Sequence, residues 1–274
     1  MAAPRIPGAS DMKVTALALA LAAAALGGSG LFGRAPRPVE GPPVVTVPAE
    51  PYLWRPSGDW RKEGRPASPP LIVRRPQAPL DIMERQVTRD DWAACVADGA
   101  CDDLGTGAGP LPQTGMNWHD ATAYARWLSR RTGVLWRLPT DEEWQRAAAE
   151  RFRDDAVPAG DTGARMLADY ERNTAGRETD LPLRASDGFG RNSHGLLDLA
   201  GNVWEWTDTC RITGRIEAGG SLTIEGEHCG IRLAAGQHRA PLPDFVRDAR
   251  GGGCGLGLPP DHLGLRLVRD ATQG

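Results

Sequence analysis

The hydrophobic pattern of the chain begins with a stretch that carries no charge, Val14–Gly33. It follows a short leader that contains Arg5 and Lys13, which is the arrangement of an export signal. The glycines and serine after Leu26 would interrupt a helix, and the stretch shows no amphipathic period, which disfavours a buried core helix. Residues 1–33 are therefore predicted to be a signal peptide or an N-terminal membrane anchor.

Two outcomes stay open for this export segment. Its length approaches that of a membrane span, which favours a retained anchor, whereas small residues such as Ala25 and Gly27 suit a cleavage site. Both outcomes predict a location outside the cytosol: periplasmic, secreted, or anchored to the inner membrane and facing the periplasm. The chain would meet a membrane only through this segment. The proline-rich residues 34–47 are interpreted as an extended linker, and residues 48–270 as one domain.

An amphipathic helix is predicted over residues 118–131. Ala121, Tyr124, Ala125 and Leu128 recur at helical spacing there, and Gly133 follows as a C-terminal stop. The apolar positions lie on one face of this helix, which predicts that it packs against the core.

A second helix is predicted to begin at Thr140. The threonine can cap the helix, and Glu143, three residues later, completes a capping box. Further along, the Trp-Glu-Trp run of residues 204–206 has the alternation of a strand and places both indoles on one face.

Composition narrows the class of protein. The net charge of −3 leaves no basic surplus for a phosphate backbone, so nucleic acid is not an expected partner. With 34 Gly and 23 Pro among 274 residues, the fold is expected to be rich in loops. The nine tryptophans suggest that large indole anchors pin those loops.

Export makes disulfides the expected state of the cysteines. Cys95 and Cys101 flank a short polar loop, and Cys210 and Cys229 bracket a glycine-rich excursion that resembles a hairpin. These are the two predicted pairs. Cys254 is left over and is a free reactive thiol, an intermolecular partner or an inert buried thiol.

Several site classes lack their usual sequence pattern. The cysteines have no C-x-x-C spacing, and the five histidines are scattered without an H-E-x-x-H motif, so a zinc site is not supported. The sequence also has no G-x-S-x-G motif, no P-loop and no G-x-G-x-x-G after a strand. Hydrolase and nucleotide-binding interpretations therefore lack support.

Taken in order, three blocks resemble the formylglycine-generating enzyme (sulfatase-modifying factor) family: an Asn-Trp-x-x-Ala helix, Arg-Leu-Pro-Thr-x-x-Glu-Trp, and Gly-Asn-Val-Trp-Glu-Trp. Arg-Gly-Gly-Gly and the final Gly-Leu-Arg strand extend the likeness. The resemblance implies an α+β fold, a variant of the C-type-lectin-like fold with little regular secondary structure. The tryptophans are expected in the core, and the arginine and glutamate of the second block as hydrogen-bonded anchors. The motif residues are Arg137, Glu143, Trp144, Asn202, Trp204, Trp206, Arg250 and Arg266.

The resemblance also implies a structural calcium site in the third block. The carboxylates of Asp198 and Glu205, with the carbonyl oxygens of Gly201 and Val203, would form a cage of hard oxygen ligands. Calcium is therefore an expected structural cofactor.

The family's founding activity oxidises a sulfatase cysteine to formylglycine with O₂ and a copper ion held by two cysteine thiolates. Here Cys254 lies in the matching region without a second cysteine, and His262 is the nearest other candidate ligand. We therefore expect an exported maturation or accessory factor that acts on another exported protein or its cofactor, similar to family members of nitrite reductase or siderophore maturation. The alternatives are an oxidase with copper or iron at Cys254 and His262, and a non-catalytic lectin-like binding module.

Overall fold

The computed structural model describes residues 38–153, 156, 167, 182–247 and 263–270. The predicted export segment, residues 1–33, lies outside them. Within the described part, no helix combines the length and the apolar character needed to cross a membrane. The helices are α1 (Arg89–Ala97), α2 (Trp118–Thr132) and α3 (Asp141–Ala148), and a short 3-10 turn, Ala149–Arg151, follows α3.

The described residues also form twelve strands, of which two are long and the others short. They are β1 (Val44–Val47), β2 (Tyr52–Trp54), β3 (Asp59–Lys62), β4 (Arg65–Pro66), β5 (Ile72–Arg74), β6 (Leu80–Met83), β7 (Trp136–Arg137), β8 (Trp204–Ile216), β9 (Leu222–Ala235), β10 (Arg239–Pro243), β11 (Leu263–Gly264) and β12 (Val268–Arg269). Helices and strands share one folded unit, which confirms the predicted α+β class.

The strands form three sheets. One sheet has the order β1-β6-β12-β7, and a second has the order β10-β9-β8-β3-β4, with β11 parallel to β8. A two-stranded ribbon pairs β2 with β5. Because β12, at the end of the described chain, pairs with both β6 and β7, distant parts of the sequence meet in one sheet.

The helix ends follow the capping chemistry predicted from the sequence. The side chain of Thr140 accepts a hydrogen bond from the backbone N–H of Glu143, and the carboxylate of Glu143 accepts one from the N–H of Thr140. Asn117 and Asp120 form the same box at the start of α2, and Gly133 ends that helix with a φ of 70°. Both predicted helices are thus confirmed.

The linker prediction for residues 34–47 is wrong from Pro38 onward. Val44–Val47 form β1, which pairs antiparallel with β6, and the side chain of Val47 is buried. The backbone N–H of Val39 also donates to the carbonyl of Arg131. The prolines suggested an extended tether, but the short run of valines among them supplies a strand whose apolar side chains the core covers. The folded unit therefore begins at Pro38.

Indole side chains pin the loops, as the tryptophan count suggested. Trp92 stacks on Tyr124 with ring centroids 5.6 Å apart and donates to the carbonyl of Asp102. The Nε1 of Trp206 donates to the carbonyl of Met116, and that of Trp60 to the carbonyl of Ser57. Each ring buries apolar area and also satisfies a loop carbonyl, which holds irregular backbone in place.

Candidate functional site

The centre of the fold is an ion pair between Glu205 of β8 and Arg266. Both side chains are almost fully buried, at 1% and 0% exposed. The guanidinium of Arg266 donates to both carboxylate oxygens of Glu205 and also to the carbonyls of Met83, Glu84 and Leu197. These hydrogen bonds connect β6, the loop that contains Leu197, and β8. Arg266 therefore organises the scaffold, as expected for a motif residue.

Two further donors complete the shell of the Glu205 carboxylate. The Nε1 of Trp144 donates to Oε2 at 2.8 Å, and the amide of Gln86 donates to Oε1 at 2.8 Å. The predicted core position of Trp144 is confirmed, since its ring is buried. With Arg266 in place, both oxygens of this carboxylate accept hydrogen bonds from N–H groups.

Three of the four predicted calcium ligands, Asp198, Gly201 and Glu205, accept hydrogen bonds from the protein. The Asp198 carboxylate accepts the backbone N–H groups of Asp187 and Phe189, and the Gly201 carbonyl accepts the Gln86 amide and the N–H of Val203. Burial raises the pKa of Asp198 in opposition to those two amides. A calcium cage that includes Glu205 does not fit these contacts, because the ion would have to displace Gln86 and sit beside the guanidinium of Arg266.

Arg137 and Glu143 form the second predicted anchor, between β7 and α3. The two guanidinium nitrogens of Arg137 lie 2.7 Å from the two carboxylate oxygens of Glu143, a bidentate pair, and Asp270 also accepts from Arg137. Burial opposes ionisation of Glu143, but the hydrogen bonds from Arg137 and Thr140 outweigh it and lower its pKa. The expected hydrogen-bonded anchor is confirmed.

The third block folds around Asn202, Trp204 and Trp206. Asn202 has a φ of 62° and exchanges two hydrogen bonds with the backbone of Arg184, which fixes the turn before β8. Trp204 and Trp206 are fully buried, and the ring of Trp204 meets His238 edge-on with centroids 4.8 Å apart. Their predicted role in the core is confirmed.

The cysteine pairing follows the sequence prediction. Cys95 bonds to Cys101, and Cys210 bonds to Cys229 across the β8–β9 hairpin. Glu227 lies against the second pair, but both sulfurs are committed to the disulfide, so the three do not form a metal site. Cys254, His262 and Arg250 lie outside the described residues.

A polar and aromatic surface forms where the start of α2 meets β8, β9 and the end of β10. We define the α2–β10 face by Trp118, His119, Asp208, Arg232, Asp244 and Phe245. The segment 248–262 begins directly after Arg247, whose guanidinium pairs with Asp120 in the first turn of α2. It ends directly before Leu263, which pairs with Trp204.

Contacts between these side chains hold the α2–β10 face together. The guanidinium of Arg232 stacks 4.1 Å from the ring centroid of Trp118 and donates to Asp208. The Nε2 of His119 lies 3.2 Å from an Asp244 carboxylate oxygen, and the backbone N–H of Trp118 donates to the Asp244 carbonyl. Burial raises the pKa of Asp208 against the opposing charge of Arg232.

Two side chains of this face are largely exposed. His119 is 60% exposed and Phe245 is 69% exposed, beside the acidic groups of Asp208 and Asp244. Aromatic residues and arginine are the residue types enriched at protein–protein interfaces.

Comparison with known proteins settles the family. A model described as "Sulfatase-modifying factor enzyme 1-like domain" matches residues 29–271, most of the chain. The chain belongs to this family. The resemblance predicted from the three sequence blocks is confirmed.

Relatives with curated names match parts of the chain. It is 36% identical over 120 residues to the formylglycine-generating enzyme of Streptomyces coelicolor, a match that covers 40% of this chain and 35% of the relative. It is 30% identical over 171 residues to "Inactive C-alpha-formylglycine-generating enzyme 2" of Bos taurus, covering 56% and 53%. The matches therefore span about a third to a half of these relatives.

A solved structure supports the fold. The structure of PvdO from Pseudomonas aeruginosa superposes with a TM-score of 0.53 and 20% sequence identity, and covers 84% of this chain and 95% of that one. At that identity the likeness concerns the fold alone.

Several residues of the site were not predicted from the sequence. His119 lies within the quoted Asn-Trp-x-x-Ala block but carried no role there, and Asp208 lies two residues after the Gly-Asn-Val-Trp-Glu-Trp block. Arg232 and Asp244 sit in strand and turn segments without a motif. Gln86 precedes the first helix and gave no signal, because its partners lie more than a hundred residues further along the chain.

Proposed function

We propose that the chain is an exported maturation or accessory factor that acts on another exported protein or on its cofactor. The main support for the proposal is the number of cysteines that remain outside disulfides. Four of the five cysteines are committed to disulfides, so each chain keeps one thiol, Cys254. A copper centre with two thiolate ligands needs a second thiol, which a single chain can supply only by breaking a disulfide.

Disulfides support the exported location. Two bonds of this kind persist in oxidising compartments and are rare in the cytosol. The expected partner is accordingly a periplasmic or secreted protein. The α2–β10 face is the surface we assign to it, because it presents Phe245, His119 and Asp208 and because the segment that contains Cys254 follows Arg247 directly in the sequence.

In this proposal, Cys254 is the reactive group and His262 assists it. Because Cys254 is close in sequence to Arg250 and is flanked by Gly253 and Gly255, we expect its thiol to favour the thiolate form. A copper or iron ion, if one is used, would take Cys254 and His262 as ligands, and it would supply oxidation chemistry when bound.

The second candidate function is an oxidase of the formylglycine-generating type. It is favoured by the relative of that name in Streptomyces coelicolor, whereas the relative in Bos taurus is named as inactive. The two candidates differ in what happens to a target cysteine: the oxidase converts it to an aldehyde, and the accessory factor does not.

A deletion strain of the host tests the proposal. Exported proteins from wild-type and deletion cells are compared by mass spectrometry for modifications and for metal or cofactor content. We expect one exported protein to lose a modification or a cofactor, wild-type chain to restore it, and Cys254→Ser to fail. His228→Ala, a change on the exposed part of β9, is the matched control and should restore it.

A photo-crosslinking amino acid then locates the contact. Placed at Phe245 it should link the chain to the same exported protein that fails to mature in the deletion strain. Placed at Ile224, which is similarly exposed at 61%, it should not. Unchanged maturation of every exported protein in the deletion strain would defeat the proposal, and binding of a carbohydrate without any maturation defect would indicate a lectin-like module instead.

A further inference from the structure

The Gln86 amide contacts two of the four predicted calcium ligands, the Gly201 carbonyl and the Glu205 carboxylate, together with the backbone carbonyl of Asp198. Gln86 is 3% exposed. The amide nitrogen donates to the carbonyl of Asp198 at 3.4 Å, to that of Gly201 at 3.2 Å, and to Oε1 of Glu205 at 2.8 Å. Because all three neighbours are acceptors, the amide must present its nitrogen, not its oxygen, to them.

The charge of Glu205 is already compensated. Glu205 is paired with Arg266, both buried, so this pair is neutral overall. A buried charge without its partner is strongly destabilising, so the two side chains depend on each other. No negative charge is left at Glu205 to compensate a divalent cation, and the nearby guanidinium would repel one.

We infer that the Gln86 amide and the Arg266 guanidinium together take the place of a cation at this centre, so that the native fold is independent of calcium. The amide supplies the positive end of a dipole to three oxygens, and the guanidinium supplies the full charge. The remaining carboxylate of the predicted cage, Asp198, is satisfied by the backbone N–H groups of Asp187 and Phe189.

The same geometry predicts that one substitution restores a cation site. In Gln86→Glu, an oxygen replaces the amide nitrogen at 2.8–3.4 Å from three other oxygens. Oxygens that share a calcium ion at about 2.4 Å stand roughly 2.8–3.4 Å apart, so the four would suit one ion. Without an ion, the new carboxylate would face Glu205 and two carbonyls with no donor between them.

The experiment measures the melting temperature of the full chain in three solutions, which contain a chelator, calcium or magnesium. Detergent is added if the N-terminal segment anchors the chain in the membrane. The wild type is expected to melt at the same temperature in all three. Gln86→Glu is expected to melt lower in chelator and to recover with calcium, by an amount that grows with the logarithm of the calcium concentration above its Kd. Magnesium should restore less, because it demands a smaller and more regular shell.

A matched control separates a calcium site from general destabilisation. Gln113 is also a fully buried glutamine, with its amide on the carbonyl of Thr114. Gln113→Glu should lower the melting temperature without any response to calcium. If Gln86→Glu gains no calcium response beyond that of Gln113→Glu, the inference is wrong.

A further test uses the wild type and therefore does not require any variant to fold. Titration calorimetry of the chelator-treated native chain with calcium should give no binding heat at the Glu205 centre, and Asp198→Ala should leave the titration unchanged. Calcium binding that raises the wild-type melting temperature and disappears in Asp198→Ala would overturn the inference and restore the calcium prediction made from the sequence.

Discussion

Replacement of Arg266 by methionine probes the centre of the scaffold directly. Methionine is flexible and apolar and can occupy much of the space of the arginine side chain. The change removes the positive charge from Glu205 and the donors from the carbonyls of Met83, Glu84 and Leu197. The bonds to the carbonyls of Met83 and Leu197 are buried, whereas the Glu84 carbonyl is part-buried and keeps a hydrogen bond from the N–H of Leu197.

The expected loss follows from burial. Breaking a buried ion pair from one side costs about 3–5 kcal/mol, because the remaining charge is left without compensation. For a folded unit of about 240 residues, each kcal/mol lowers the melting temperature by about 2–4 °C, so the expected decrease is roughly 6–20 °C. Arg269→Met, three residues away on β12, removes only a partly exposed pair with Asp81. That pair is worth about 0–1 kcal/mol.

Thermal unfolding followed by circular dichroism, together with urea titration, compares the two variants at equal protein concentration with the disulfides intact. We expect Arg266→Met to be much less stable than Arg269→Met, while the slope of the free energy of unfolding against urea concentration stays the same. Similar stabilities of the two variants would show that the Glu205–Arg266 contacts do not stabilise the scaffold, and that Arg266 does not organise it.

Three further predictions follow from the structure. The fold lowers the pKa of Glu143, so the stabilisation by its carboxylate is present above its unfolded pKa of about 4.3 and is lost as the pH falls through the lower folded pKa. In acid titrations, the stability difference between wild type and Glu143→Gln should therefore shrink below about pH 4. Thiol titration of the denatured, unreduced chain should count one reactive group, Cys254, and a count of three or five would refute the disulfide pairing. Gly214→Ala should destabilise the β8–β9 hairpin by about 1–3 kcal/mol in urea unfolding, because a Cβ there would lie 2.4 Å from the Trp60 ring, whereas Gly219→Ala, which has open space, should be close to neutral.

Local chemistry explains which elements the sequence predicts well. A capping box acts within four residues, so the start of α3 at Thr140 is visible in the sequence itself. The same holds for the end of α2 at Gly133, where a left-handed residue is required. The pairing of Cys210 with Cys229 follows from a hairpin whose strands are close in sequence.

Contacts between distant residues explain what the sequence leaves open. β1 was hidden among prolines, because its pairing with β6 depends on residues about 36 positions away. The role of Gln86 depends on Glu205, 119 residues away, and only the fold shows that an amide lies among the predicted calcium ligands. The stacking of Arg232 on Trp118 likewise joins two segments that share no motif.

The calcium prediction illustrates the difference between ligand type and ligand availability. Asp198 and Glu205 have the hard oxygens that calcium prefers. In the fold, however, those oxygens accept hydrogen bonds from Arg266, Trp144 and backbone amides. A pattern of ligand types in a sequence cannot show which donors from elsewhere in the chain already satisfy them.

Incubation of the purified chain with a Cys-x-Pro-x-Arg peptide, copper and O₂ tests the central claim most directly. The formylglycine-generating enzyme of Streptomyces coelicolor serves as the positive control, and mass spectrometry with an aldehyde-reactive probe reports the product. Because one free thiol per chain cannot form a two-thiolate copper centre, the account predicts an unchanged peptide cysteine with this chain. Aldehyde formation that is abolished in Cys254→Ser would contradict it and identify the chain as an oxidase.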